Sequence, residues 1–226
     1  MAALSASLTR PTKSTPGTLR RAEGQAATGD AHLDTNYERL GETYNCYKAL
    51  FNRDSINDAG AVLVSTVHYA RNYVNAYWDG VQMVYGDGDG VNSLPLGLDA
   101  DVTTHELTHA VTQYESNLVY SGESGGLNES MSDVFAGVCE SWGRAWATDA
   151  DVFKVGEDIW TPNVSGDALR YMDDPAKDNI SLDYYGDYYA GVDVHYSSGI
   201  SNLVFALMAK GGTHPRGKTS NVVPAI

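Results

Sequence analysis

Two histidines stand four residues apart, His105 and His109, in the stretch "DVTTHELTHAVTQYES" (residues 101–116), with Glu106 between them. On a helix, residues four apart share a face, so both imidazoles can offer a nitrogen to one ion. A catalytic zinc takes three protein ligands and keeps one position for water, so a third donor must come from elsewhere. Glu129 in "GGLNESMSD" is the natural third ligand, and Asp133 follows it four residues later on the same helical face. The chemistry of such a set is metal-assisted hydrolysis: the ion lowers the pKa of a water toward about 7 and a neighbouring carboxylate takes its proton. HExxH fixes only three positions and ordinary helices match it; the second, acidic motif is what sets this chain apart.

Those residues need elements to hold them. With 226 residues, 42% hydrophobic and 19% charged, the chain is long enough for one large or two small cores. A net charge of −14 argues against a nucleic-acid partner, which needs a Lys/Arg excess, and suits bound cations. No run approaches the ~18 apolar residues of a membrane span. The start, "MAALSASLTR", lacks a basic segment before an apolar core, so no secretion signal is expected there. Cys46 and Cys139 each sit in an apolar helical pattern and read as buried free thiols rather than a disulfide.

Residues 1–28, rich in Ser, Thr, Pro and Gly, read as a flexible tail or the remnant of a removed segment. "YERLGETYNCYKALFN" reads as a helix, and "AVLVSTVHYA" and "NAYWDGVQMVYG" as strands, the latter running into a "GDGDG" turn. A helix is expected from Asp101 or Thr103, as N-cap, to about Ser116. A second should follow "SGESGG", with Leu127, Met131, Val134, Phe135 and Val138 as its apolar stripe, and a third should follow His195 in "SGISNLVFALMAKG". The fold class expected is α+β: a β-containing part over 29–118 with the HExxH helix, and a mostly helical part over 119–226.

The run "HELTHAVTQYESNLVYSGESGGLNESMSDVFAG", with "NAYWDGVQMVYGDGDG" upstream and "DVHYSSGISN" downstream, closely resembles the thermolysin family of neutral zinc metalloendopeptidases. The spellings "DVHYSSG" and "GGTHPRGKTS" bring it nearer the vibriolysin and pseudolysin branch. The resemblance spans residues 29–226 and implies a zincin fold with the active-site helix at the bottom of a cleft between the two parts. It implies zinc ligands His105, His109 and Glu129, and Glu106 as the general base that later passes its proton to the leaving amine. Asp133 would orient His105, Tyr120 and His195 would stabilise the oxyanion, and Asp193 would orient His195. Asn75 and Ala76 would lie on an edge strand that pairs with an extended peptide, and Arg170 would bind a substrate carbonyl. Leu96, Val102, Val155 and Leu169 would line an apolar pocket for the residue after the scissile bond; plain core is the competing reading of these four.

Asp101, Glu140 and Glu157 would hold one structural calcium, with Asp149 or Asp151 as further ligands; Lys154 stands where a double site would need a carboxylate. Protein or peptide substrates, a propeptide or inhibitor as partner, and an extracellular location are implied in the same way. The family's catalytic domains extend beyond both ends of this sequence, so a folded but inactive zinc- and calcium-binding fragment is the alternative. "GESGG" also matches a serine nucleophile elbow around Ser124, which would have to end a buried strand and open a helix. The zinc class with a third histidine ligand is excluded by Thr112 and Glu115.

Overall fold

The computed structural model describes the backbone of residues 4–8 and all of residues 15–226. Five strands form the main sheet: β1 (Leu4–Leu8), β2 (Thr18–Ala22), β3 (Leu63–Tyr69), β4 (Ala76–Trp78) and β5 (Met83–Gly86). Their order is β2-β1-β3-β5-β4, with β1-β3 and β3-β5 parallel and the two outer pairs antiparallel. β4 is therefore an edge. Helix α1 (Ala31–Phe51) packs on this sheet, followed by α2 (Ala100–Tyr114) and α3 (Gly122–Gly143). A short pair, β6 (Lys154–Val155) and β7 (Arg170–Tyr171), precedes α4 (Val194–Lys210), and a pair of two-residue strands, β8 (Gly212–Thr213) and β9 (Val222–Val223), closes the chain.

Two apolar clusters support this arrangement. The larger joins Leu33, Leu40 and Tyr47 of α1 to Leu63, Val67, Met83 and Tyr85 of the sheet and Val102, Leu107 and Ala110 of α2. The smaller joins Val152, Phe153, Val155 and Met172 to Ala206 of α4. Between them α2 is buried on nearly all sides although six of its fifteen residues are threonine or histidine. Its hydroxyls find partners: Thr104 meets Thr43 at 2.8 Å and Thr108 meets Tyr47 at 2.8 Å, both from α1. Buried polar groups satisfied in this way hold a helix without an apolar stripe.

Several expectations need correction. Residues 4–8 and 18–22 are strands of the main sheet, not a tail; the rest of that expectation on 1–3 and 9–14 lies outside the described residues. The anchor is Arg21, which is buried, lies 3.8 Å over the Tyr37 ring and pairs with Glu38 at 2.8 Å. Composition gives no sign of such a contact. Cys46 and Cys139 form a disulfide with Cα atoms 5.6 Å apart, stapling α1 to α3 across 93 residues of sequence. Closing a loop of that length stabilises by about 4–5 kcal/mol in the chain-entropy picture.

The N-cap of α2 is Asp99, whose carboxylate accepts from Val102 N, rather than Asp101 or Thr103. The second and third helices start earlier than their sequence patterns suggest, at Gly122 and Val194. Most of "SGESGG" is helical, from Gly122 on, and two of its glycines serve close packing: a Cβ at Gly125 would sit 2.4 Å from Val194 Cγ1, and one at Gly126 would sit 2.5 Å from Ser197 Oγ. For the same reason the fully buried face of α3 is small and polar. Leu127 is exposed, and Met131, Val134, Phe135 and Val138 are only partly buried.

Candidate metal centre and cleft

Helix α2 presents His105 and His109, and α3 crosses it with Glu129, which is fully buried. The two Nε2 atoms are 3.0 Å apart. Each lies 3.3 Å from an oxygen of Glu129. Donors about 2.05 Å from one ion at tetrahedral angles stand about 3.3 Å apart, so the set has the size a zinc-like cation requires.

The tautomers follow from the outer partners. His105 Nδ1 donates to Asp133 Oδ1 at 2.7 Å, since a carboxylate only accepts. Asn128 Nδ2 donates to the Leu118 carbonyl at 3.0 Å, which turns Asn128 Oδ1 toward His109 Nδ1 at 2.7 Å, so that nitrogen too carries a proton. In their neutral forms both imidazoles then aim Nε2 lone pairs at one point. Glu129 Oε2 is buried there without a hydrogen bond. Two lone pairs and a carboxylate facing one another call for a positive charge. A proton can supply it, and burial of His105 is indeed outweighed by Glu129 and Asp133, which push its pKa up to about 10. Such a proton is what a divalent cation displaces.

Asn128 was not singled out from the sequence; its position one residue before Glu129, in "LNES", is the only hint. Asp133 is fully buried, and Arg170 grips it with Nε to Oδ2 at 2.8 Å and Nη2 to Oδ1 at 2.7 Å. These donors hold its carboxyl well below the usual range against the opposing effect of burial. Asn202 of α4 adds a bond to Asp133 Oδ2 at 2.8 Å.

The remaining sequence-derived residues converge on the same place. Glu106 lines both cavities that meet at the histidines, and burial raises its pKa against the pull of His105 and His109. Tyr120, from the α2–α3 connection, donates its hydroxyl to Glu129 Oε1, and His195 Nε2 lies 3.1 Å from that hydroxyl. One oxygen of Asp193 both caps α4, through His195 N at 2.9 Å, and holds His195 Nδ1 at 2.7 Å.

The larger cavity, about 600 Å³, runs between β4 and α2 and is lined by Asn75, Ala76, Trp78, His109, Tyr120 and Glu129 among others. Trp78 Nε1 donates to Gln113 Oε1 at 2.8 Å and so ties the edge strand to α2; neither residue stood out in the sequence. The smaller, about 110 Å³, is walled by Leu96, Val102, Val155 and Leu169, with Asn75, Ala76 and Arg170 at its polar side. Leu96 and Val102 also belong to the larger apolar cluster, so the core and pocket readings hold together. Val74 and Trp160 complete that wall and were missed.

Asp101, Glu140 and Glu157 form a second cluster with ligand atoms within 4.8 Å of one another. Both oxygens of Asp101 and one each of Glu140 and Glu157 are buried without a hydrogen bond. Burial first, and mutual repulsion after it, raise the pKa of Asp101. Burial also raises those of Glu140 and Glu157. Asp149 and Asp151 are engaged instead by Arg144 and Lys154. Ser124 lies in the first turn of α3 with its hydroxyl directed at the Val119 and Ser121 carbonyls, and no strand ends there, so the nucleophile elbow is not formed.

The chain is similar to known proteins over most of its length. Residues 6–113 match the family model described as thermolysin metallopeptidase, catalytic domain, and residues 116–224 that described as thermolysin metallopeptidase, alpha-helical domain. A bacillolysin of Bacillus cereus is 52% identical over 193 residues, covering 84% of this chain and 33% of the relative. A thermolysin of Alicyclobacillus acidocaldarius is 46% identical over 193 residues, covering 84% of this chain and 34% of the relative. The chain thus spans about a third of the length of these curated relatives. Among solved structures, the precursor of protealysin, a metalloproteinase from Serratia proteamaculans, superposes with a TM-score of 0.85 at 34% identity, covering 92% of this chain and 68% of the other. With its α+β architecture and family models matched over residues 6–113 and 116–224, the chain belongs to the thermolysin family of metallopeptidases.

Proposed function

We propose that the chain is a zinc-dependent endopeptidase. The observation that carries this reading is the set His105 Nε2, His109 Nε2 and Glu129, whose spacing and fixed tautomers suit a zinc ion beside a buried carboxylate and an open strand edge. When bound, zinc supplies Lewis acidity toward a water and toward the scissile carbonyl. The protein's own groups do the rest. An extended peptide pairs with β4 through Asn75 and Ala76, and Arg170, whose Nη1 is not used by Asp133, binds a carbonyl near the cleavage point. Glu106, kept basic enough by burial, takes a proton from water and passes it to the leaving nitrogen. Tyr120 and His195 donate to the developing oxyanion. A bulky apolar side chain after the scissile bond fits the cavity walled by Leu96, Val102, Val155 and Leu169.

The Asp101–Glu140–Glu157 cluster is read as one calcium site, since hard oxygen donors with no hydrogen-bond partner suit that ion. The disulfide fits an oxidising, extracellular setting, and a propeptide or inhibitor is the natural occupant of the cleft besides substrate. No helix among the described residues is long and apolar enough to cross a membrane.

The test is metal analysis together with cleavage mapping on casein. One zinc per chain, cuts before Leu or Phe, and a ~10²–10⁴-fold loss in Glu106→Ala with zinc retained are expected. Zinc without hydrolysis by the unaltered chain would support the inactive-fragment reading instead.

A further inference from the structure

Asp133 receives its hydrogen bonds from three directions. His105 and Arg170 supply three of them. The fourth comes from Asn202 Nδ2, at 2.8 Å, on a different helix from either. Asn202 is 1% exposed and follows His195 by seven residues. Seven residues are close to two helical turns, so both side chains leave α4 on the side that faces α3. Asn202 Oδ1 has no hydrogen-bond partner among the described residues. An amide buried half-satisfied is destabilising, and packing alone would be served better by an apolar side chain of the same size. Among the described residues its side-chain hydrogen bond goes to Asp133.

We propose that Asn202 is a positioning residue that ties the helix carrying His195 to the carboxylate orienting His105, so that the metal ligand and the oxyanion donor are held in one register. This inference rests on the peptidase reading above. At the first turn of α4 the close approach of α3 rests on Gly125 against Val194 and Gly126 against Ser197. Contacts of small residues set how closely two helices approach and leave rotation and sliding free. The Asn202–Asp133 bond, two turns further along, removes that freedom. Without it Asp133 Oδ2 keeps only Arg170 Nε, and His195 can shift relative to Tyr120 and Glu129.

The test compares Asn202→Ala with Leu203→Ala, its neighbour on α4, which is 3% exposed and makes no bond to Asp133. Zinc affinity is read by competition with a chelating dye, and kcat and KM on a short peptide well below the melting temperature. Asn202→Ala should weaken zinc by ~10-fold and lower kcat by ~10- to 100-fold with KM nearly unchanged. Leu203→Ala should lower the melting temperature at least as far while leaving zinc affinity and kcat within about twofold. A folded Asn202→Ala chain with unaltered zinc affinity and kcat overturns the proposal, as do losses in both variants that track melting temperature. Should Asn202→Ala not fold, Asn202→Ser carries the same comparison with the same outcomes. If the unaltered chain binds zinc but cleaves nothing, the peptidase reading falls while the affinity comparison still decides the tie to His105; if it binds no zinc, both fall.

Discussion

Two regions of this molecule bring two histidines and a carboxylate together, and only one of them has the electronic form of a metal site. At the cleft, His105 and His109 give their Nδ1 protons to Asp133 and Asn128 and turn their lone pairs inward beside Glu129. At the N-terminal end of α1, His32, His68 and Asp87 also place donor atoms within 4.8 Å of one another. There, however, His32 Nε2 accepts the Gly97 amide proton at 3.1 Å, so the ring carries its own proton on Nδ1, aimed at Asp87 Oδ1 at 3.0 Å. His68 spans two acids, with Nδ1 2.6 Å from Asp87 Oδ1 and Nε2 3.1 Å from Asp30, the N-cap of α1. These contacts are charge-assisted hydrogen bonds that leave His32 with no lone pair facing the group. The lesson is that residue types and distances are alike in both clusters, and the partner of each outer nitrogen decides what the cluster does.

The largest effect is expected from removing the inward carboxylate of each cluster. Glu129→Ala should lose zinc and hydrolysis altogether, whereas Asp87→Ala should keep one zinc per chain and its activity; metal analysis and a casein assay on both variants settle this. Zinc retained by Glu129→Ala would refute the ligand set. Next, titration of the unaltered, metal-stripped chain with Co²⁺ should give a single tight histidine-containing site. A second histidine-bound Co²⁺ of similar affinity, lost in His32→Gln, would overturn the tautomer argument. Smaller still is the effect of loosening the outer partner: Asn128→Ala should weaken zinc by ~10- to 100-fold, read by chelator competition.

The last contrast concerns pH. The hydrogen bond to Asp87, helped by Asp30 and opposed by burial, raises the His68 pKa, while His32 and His68 lower that of Asp87 against burial. A raised histidine pKa contributes stability that is fully present below its unfolded value near 6.5 and fades as pH rises through the native value; a lowered aspartate pKa contributes above about 3.9 and fades as pH falls. Asp87→Asn should therefore lower the melting temperature most between about pH 4 and 6.5, and less above that window. A difference that grows toward pH 9 would contradict the paired form of His68. At the Asp101–Glu140–Glu157 cluster the sign is opposite, because native carboxyl pKa values lie above the unfolded ones. In calcium-free buffer that cluster destabilises the fold as pH rises past about 4, and calcium at ~100 times its Kd should restore about 2.7 kcal/mol. Asp101→Asn should abolish that response.

Residue type and spacing were enough to single out His105, Glu106, His109 and Glu129, because a helix converts a four-residue interval into a shared face whatever surrounds it. The edge strand, the acidic cluster and the pair Tyr120 and His195 were legible only through resemblance to a known family, since each joins residues from separate segments. What local pattern misjudged was close packing. The glycines of "SGESGG" look like a break between helices, and only the approach of α4, to within 2.4 Å of where a Gly125 Cβ would stand, explains their place inside α3. Arg21 reads as part of a flexible tail until Tyr37 and Glu38 enclose it, and Cys46 and Cys139 give no sign of their pairing until α1 and α3 flank α2. The sequence by itself determined which atoms could bind a metal. Tertiary structure alone decided which nitrogen of each histidine carries the proton, because that depends on an Asp, an Asn or a backbone amide from a different element.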